Sequence, residues 1–378
     1  MNRQILKVSF FFAAIATAIA TGVSAQNISS EFVVSGAAAE KILDTTTINL
    51  ATAERIAMTC ERLAEERGVT ISVYVIDNDG NDVYVHRMDG ERWVNTATAE
   101  MKAQTALRIR GPSKERMNRV IRNPSEEWQQ IELGVFSNSG GLPIVVNDQL
   151  IGAIGVGGSA PRIAEGWSDE ICAHKAMIEV LGPQPPLVED ISRPQTPMVA
   201  PVPQFVVESA PASNLPPEFV VSGAAAAQIR NGAQISGDAA RRVAMACREW
   251  ATEHGETMSL VILDPSGVPV HGERMDGQVN GNIQAAMLRA QTALQSRDPT
   301  SARGAGLQNR PYGLPRSVLL FEWHTEPGGL PIVVDGQMIG AIGVGGADSG
   351  DEACAITGLQ SVFGDRVAVP VYPEGSTS

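Results

Sequence analysis

Apolar positions along this chain run in two periods, and the same succession of periods occurs twice. From Leu50 to Gly68, Ile56, Cys60 and Leu63 recur at helical spacing among alanines and charges, and Gly68 closes the run. VTISVYVID, Val69 to Asp77, then alternates and is rich in β-branched residues; DNDGN turns it into DVYVHRM, which predicts a hairpin. A second helix is expected around Thr98 to Leu107, followed by a loop of about 30 residues, a second hairpin and a last helix from Asp169. Val243, Cys247 and Trp250, closed by Gly255, begin the same order again, and its last helix starts near Asp351. The pattern predicts an α+β fold of two similar domains, each a central antiparallel sheet flanked by helices.

The second hairpin is the clearest repeated segment. GGLPIVVNDQLIGAIGVGG, Gly140 to Gly158, returns as GGLPIVVDGQMIGAIGVGG at Gly328 to Gly346, with three differences in nineteen positions. Asn147-Asp148 and Asp335-Gly336 are hairpin turn pairs, and Pro143 and Pro331 suit a strand start. Gly155-x-Gly157-x-x-Ala160 matches a dinucleotide fingerprint on paper, but Pro161 follows where a helix should start, so the glycines at 152, 155, 157 and 158 read as close-packing positions.

Other matches extend the duplication over the whole unit. EFVVSGAAAE at Glu31 returns as EFVVSGAAAA at Glu218; RMDG occurs at Arg87 and Arg274, KAQTAL at Lys102 answers to RAQTAL at Arg289, and SDEICA at Ser168 answers to GDEACA at Gly350. A period near 187 is too long for a solenoid and implies two complete domains, at 26–182 and 218–369, with a tail at 370–378. Residues 183–217 hold ten prolines and read as a stiff extended linker that lets the domains pair as a pseudo-dimer. Residues 1–25, with Arg3 and Lys7, an apolar run and Val23-Ser24-Ala25, form an expected secretory signal peptide, which places the mature chain in the periplasm or medium.

Charge and cysteines narrow the function. Removal of that segment takes the formal charge from −13 to −15, and no basic cluster remains, so nucleic acid and anionic membrane are poor partners. Each copy has one cysteine in its first helix and one in its last, Cys60 with Cys172 and Cys247 with Cys354. In an oxidising compartment that recurrence suggests a bond within each domain; two pairs of buried thiols are the alternative.

The candidate chemistry is sparse. Arg87-Met88-Asp89-Gly90 and Arg274-Met275-Asp276-Gly277 end a strand, where the Arg and Asp orient a ligand or pair with each other. Lys102 and Arg289 keep a cation at one place in the second helix, suited to a carboxylate ligand or an acidic partner surface. Asp169-Glu170 and Asp351-Glu352 sit where dipole compensation explains them. DNDGND at Asp77 departs from a calcium loop at its glycine and twelfth position and reads as a turn. The histidines at 86, 174, 254, 271 and 324 do not coincide between copies: His86 corresponds to Glu273 and His271 to Tyr84.

Taken in order, the V-x-V-x-V-D-x-x-G hairpin, R-M-D-G, K/R-A-x-T-A, G-G-x-P-I-V-V, G-A-I-G-V-G-G and D-E-x-C-A resemble the GlcG/HbpS-like, or haem-degrading domain, family and the C-terminal domain of PduO-type proteins. The resemblance spans Leu50 to Leu181 and Asp238 to Phe363. It implies a small α+β domain that assembles into higher oligomers; some members bind haem or iron, some degrade haem, and others accompany glycolate or diol metabolism. The positions it points to are Arg87, Lys102, Arg110 and Ser113 in the first copy and Arg274, Arg289, Arg297 and Thr300 in the second. RDPTSA at Arg297 is closer to the family's Pro-Thr-Ser pattern than RGPSKE at Arg110, so equal binding by both copies is not expected. The leading expectation is an exported two-domain haem- or tetrapyrrole-binding protein, with haem breakdown an open question. The alternatives are a non-catalytic periplasmic sensor or assembly partner for a small metabolite, and an enzyme holding a small organic acid through Arg87 or Arg274. The aromatics Trp128, Tyr312 and Trp323 in the two loops are candidates for a ligand pocket or a domain interface.

Overall fold

The computed structural model describes residues 28–42, 46–159, 166–191, 215–223, 225, 233–308, 313–347 and 350–370. The expected signal peptide, most of the proline-rich segment and Tyr312 lie outside them. A short helix α1 (Gly36–Ile42) precedes the first repeat, which runs α2 (Leu50–Glu65), β1 (Ser72–Asp77), β2 (Asp82–Arg87), α3 (Trp93–Ile109), α4 (Lys114–Arg122), α5 (Glu127–Glu132), β3 (Gly141–Val146), β4 (Gln149–Gly157) and α6 (Asp169–Leu181). The second runs α7 (Gly237–Glu253), β5 (Ser259–Leu263), β6 (Pro269–Arg274), α8 (Asn280–Ser296), α9 (Thr300–Gln308), α10 (Gly313–Phe321), β7 (Gly329–Val334), β8 (Gln337–Gly345) and α11 (Asp351–Phe363). The stretches expected as loops are helical: α4, a 3-10 turn and α5 in one copy, α9 and α10 in the other. All are short: α4, α5 and α9 are rich in charged, polar or small residues, and α10 is an apolar run of nine residues interrupted by Pro315.

All eight strands form one antiparallel sheet in the order β3-β4-β1-β2-β6-β5-β8-β7. Each repeat supplies four, and the two halves join edge to edge through β2 and β6, with Tyr84 opposite Glu273, Val85 opposite Gly272 and His86 opposite His271. The Val85–Gly272 pair lies at the centre of this register, so the repeats are related by a local two-fold rotation. Edge pairing removes two exposed strand edges at once, which explains why the duplicated unit pairs rather than leaving the edges to other chains.

On one face α2 and α6, or α7 and α11, pack over each half-sheet around Ile56, Ile71, Ile144 and Ile154, or Val243, Leu260, Ile332 and Ile342. Each helix pair is tied by a disulfide, Cys60–Cys172 and Cys247–Cys354. On the opposite face α3 and α8 lie so close to the sheet that glycine is required beneath them. A Cβ on Gly155 would stand 1.9 Å from the Ala99 carbonyl, and one on Gly343 2.0 Å from that of Ala286. The second hairpin turns through left-handed Asn147 and Asp148 (φ 50° and 63°), or Asp335 and Gly336 (48° and 78°), as a two-residue turn between twisted strands demands.

Candidate functional site

The RMDG segments reach across the shared strand edge. Arg87 at the end of β2 places Nη2 2.6 Å from Asp264 of the second repeat, and Arg274 places Nη2 2.6 Å from Asp77 of the first. All four are buried. The aspartates are held from behind by their own turns: Asp77 Oδ1 accepts from the Asp79 and Asn81 amides, and Asp264 Oδ1 from those of Ser266 and Val268. The motif's own aspartates cross as well, Asp89 accepting from Gly237 N at the start of α7 and Asp276 from Leu50 N at the start of α2. The expectation that Arg and Asp of one motif pair with each other is therefore corrected: each pairs with the other repeat. The pairs are buried because the rotation brings each β-hairpin turn against the opposite strand end.

Around the same axis a polar seam runs between α2 and α7 and the sheet. Glu61 pairs with Arg241; Arg248 bridges Glu54 at 3.2 Å and Glu273 at 3.4 Å. His271 faces Glu273 through Nε2 and His86 through Nδ1, the latter at 3.1 Å. Burial pushes the Glu61 carboxyl up to about 7, with Arg241 opposing it. Burial holds His86 well below the usual imidazole range, and the neighbouring Arg241, His271 and Arg87 add to that.

A cleft of about 300 Å³ opens beside Asp77 and Arg274, and a larger one, of about 630 Å³, lies at the far end of the first half-sheet. One wall is α3 and α4, through Thr98, Lys102, Lys114 and Met117; the other is the entry to α6, through Trp167, Asp169 and Ile171. The floor is Asn138, Ser139, Gly158 and Ser159, and Asp190 closes one side. Ser168 caps α6 by accepting from Ile171 N, which aims the first turn of that helix at the cleft. Asp169 Oδ1 then accepts from Ser159 N at 2.8 Å and Oδ2 binds Lys102 Nζ at 2.6 Å, so this carboxylate joins two walls besides compensating the helix dipole. Lys102 also donates to the Val156 carbonyl at 2.8 Å. Lys114 is paired with the fully buried Glu170 and, at 2.8 Å, with Asp190. Burial raises the Glu170 carboxyl above its ordinary range, against the pull of Lys114. Burial opposes the charge on Lys114, but hydrogen bonds to Asp190 and Glu170 outweigh it and raise its ammonium. Three buried polar atoms around the cleft, Ser139 Oγ, Ser159 Oγ and Trp167 Nε1, have no hydrogen-bond partner among the described residues. Buried donors are rarely left so without a ligand or water to meet them.

Of the eight candidate ligand-binding positions, Lys102 alone lines this cleft; Gly158 and Asp169, expected as packing and dipole-compensating residues, line it too. Arg110 and Arg297 are exposed and adopt left-handed backbone (φ 53° and 60°) as the caps of α3 and α8. Ser113 Oγ accepts from Gly141 N at 2.8 Å and Thr300 Oγ1 from Gly329 N at 2.9 Å, each fastening the segment after the helix to the first strand of the second hairpin. Arg289, the counterpart of Lys102, binds the Val344 carbonyl, Asp351 and Glu326. Trp128 is 77% exposed on α5, and Trp323 lies under Arg303 and donates to Gln295. No helix among the described residues is long and apolar enough to cross a membrane, and no group of three or more metal-ligating side chains occurs among them.

A family model described as "Haem degrading protein HbpS-like" matches residues 48–177 and again 235–360. The chain belongs to that family. Among relatives of this HbpS-like chain, an uncharacterized 15.0 kDa protein in the dhaT-dhaS intergenic region of Citrobacter freundii is 32% identical over 114 residues, covering 30% of this chain and 80% of the relative. The HbpS crystal structure is 30% identical, with 37% of this chain and 93% of that chain covered and a TM-score of 0.32. Klebsiella pneumoniae protein ORFY is 27% identical over 36% of this chain and 92% of its own, with a TM-score of 0.33. The PduOC:haem complex is 24% identical, with 36% and 97% covered and a TM-score of 0.33.

Lys114, Met117, Ser159, Trp167 and Asp190 escaped the sequence reading because they differ between copies or lie in segments of no fixed period. Lys114 was the most accessible of them: it stands where the second repeat has Ser301, next to the repeated Ser113/Thr300 lock.

Proposed function

We propose that this HbpS-like chain binds a carboxylate-bearing small molecule in the cleft of its first repeat, and that the ligand is a haem or related tetrapyrrole. The observation that carries the reading is the meeting of two buried ammonium groups, Lys102 and Lys114, with the donors of Ser139, Ser159 and Trp167, unpartnered among the described residues, at one cleft. Its volume, about 630 Å³, falls in the range of small-molecule sites. Haem needs cations for its propionates, apolar contacts for its ring and an axial donor. Lys102 and Lys114 fit the first need, Met117, Trp167 and Ile171 the second, and the Met117 thioether is the lining atom suited to iron. The proposed role of Arg87 and Arg274 is to hold the repeats together, and that of Arg110, Ser113, Arg297 and Thr300 is to fix the segments after α3 and α8. Export to an oxidising compartment is part of the reading and is supported by the two disulfides.

Hemin added to the purified protein is expected to shift its Soret band and saturate at one equivalent per chain, because Ser301 replaces Lys114 in the second repeat. No shift, or two equal sites, contradicts the reading. A second reading, a small organic acid without iron, is favoured by the hydroxyl and amide groups of Asn95, Thr98, Asn138 and Ser168 in the lining. In that case hemin leaves the Soret band unchanged while the acid perturbs tryptophan fluorescence, and Trp167→Phe abolishes that change.

A further inference from the structure

The segment after α6 does more than lead away from the first repeat. It lies back across α4: the ring of His174 contacts the Pro185 carbonyl at 2.8 Å, Leu187 packs on the core, and Asn118 Nδ2 donates to the Glu189 carbonyl at 2.9 Å. Lys114 Nζ meets the Val188 carbonyl at 3.2 Å and Asp190 Oδ1 at 2.8 Å, in addition to Glu170. An ammonium group has three protons, and three oxygens, those of Glu170, Val188 and Asp190, already crowd this one. A ligand carboxylate therefore has to compete with these oxygens for Lys114.

Which one leaves is set by burial. The Glu170 side chain is 0% exposed on α6, whereas that of Asp190 is 83% exposed on the returning segment. Glu170 cannot withdraw without leaving its own buried carboxylate unmatched, a costly outcome. An exposed carboxylate exchanges for another at little cost. Asp190 also lines the same cleft as Lys102 and Trp167, so its carboxylate stands at the edge of the space a ligand would fill. The second repeat has no such arrangement: Ser301 occupies the position of Lys114 and donates to Glu352 at 2.9 Å.

On the reading that this cleft binds ligand, we infer that Asp190 is a built-in competitor that occupies the carboxylate position on Lys114 and is displaced when a ligand carboxylate arrives. Ligand binding thereby loosens residues 188–190 from α4, which ties occupancy of the first repeat to the segment running on toward the second. The competitor selects for ligands with a carboxylate able to replace it and against neutral analogues of the same shape.

The full-length mature chain tests this with protoporphyrin IX and its dimethyl ester as probes, titrated by quenching of tryptophan fluorescence. Asp190→Asn is expected to tighten binding of the free acid about two- to fivefold, to leave the ester unchanged, and to raise hydrogen exchange at residues 188–190 before any probe is added. Glu189→Gln, which keeps the backbone contact and removes a neighbouring charge, is the control and should leave the free acid unaffected. If wild type binds the free acid and Asp190→Asn binds it equally or more weakly, or if the ester tightens in parallel, the competitor is refuted while the cleft assignment stands. If no variant binds protoporphyrin IX or hemin, the cleft assignment fails and this inference falls with it.

Discussion

Nδ1 of His86 and Nδ1 of His271 lie 3.1 Å apart in the buried centre of the eight-stranded sheet. Along the chain these residues do not correspond, since His86 aligns with Glu273 and His271 with Tyr84. They meet because β2 and β6 pair antiparallel about the counterparts Val85 and Gly272, so a residue one place to either side faces the counterpart of its neighbour two places away. One of the facing nitrogens must accept while the other donates, so the pair cannot hold two charged rings at this distance.

The first prediction concerns pH and pits two neighbours in the seam against each other. Above pH 7, His86 is neutral folded or unfolded; below its ordinary 6.5 the unfolded chain takes a proton that the folded chain refuses. Its contribution therefore removes stability as pH falls, by at most about 1.4 kcal/mol per unit. Glu61 acts oppositely: between about 7 and its ordinary 4.5 the folded state holds a proton the unfolded state lacks, so stability is gained as pH falls. Urea unfolding across this window should show wild type losing stability on acidification relative to His86→Gln, and gaining it relative to Glu61→Gln. Identical slopes for Glu61→Gln and wild type would mean that the Glu61 carboxyl titrates in its ordinary range.

The crossed arginines set a second expectation. Arg87→Met leaves Asp264 buried without its cation and should cost about 3 to 5 kcal/mol. Arg87→Met with Asp264→Asn removes both charges and should recover part of that loss. A double variant no more stable than the single one refutes the pairing as the source of the cost.

Each disulfide closes a long loop, with sequence separations of 112 and 107 residues. Chain-entropy reasoning gives about 4 to 5 kcal/mol for loops of this size. Cys60→Ser with Cys172→Ser should lower the thermal midpoint markedly, and Cys247→Ser with Cys354→Ser by a similar amount because the loops are alike. Unchanged midpoints in both would show that the bonds add nothing to the packed helices.

Two glycines separate packing from propensity. Gly155→Ala must push α3 away from β4 and should cost about 2 kcal/mol or more. Gly306 in α9 has open space around its Cβ position, so Gly306→Ala should be neutral or stabilising by up to about 1 kcal/mol. Denaturant midpoints that move the same way for both would undo the close-approach argument.

Much of the fold was legible because it rests on local periodicity and on repetition. Ile56, Cys60 and Leu63 marked α2, Asp335-Gly336 marked a hairpin, and Gly155 marked a close approach that the Ala99 carbonyl confirms. The helices α4, α5, α9 and α10 were not, since KERMNRVIR is mostly charged and TSARGAGLQ is weak in helix formers. The Arg87–Asp264 pair was hidden for a different reason: copies aligned along a chain are compared by translation, but these two meet by rotation. Lys102 was found from the repeated cation in the second helix, whereas Lys114 and Asp190 required knowing that the segment after α6 folds back over α4.

The most direct test of the account is the dissociation constant of hemin for Lys114→Met and for Arg274→Met, each compared with wild type and each checked for a native circular dichroism spectrum. Loss of a charge-assisted bond to a carboxylate is worth about tenfold or more, so Lys114→Met should weaken binding by at least that factor, while Arg274→Met, where it folds, should bind as wild type does. Wild-type affinity in Lys114→Met together with lost affinity in a folded Arg274→Met would contradict the account and move the ligand to the RMDG arginines.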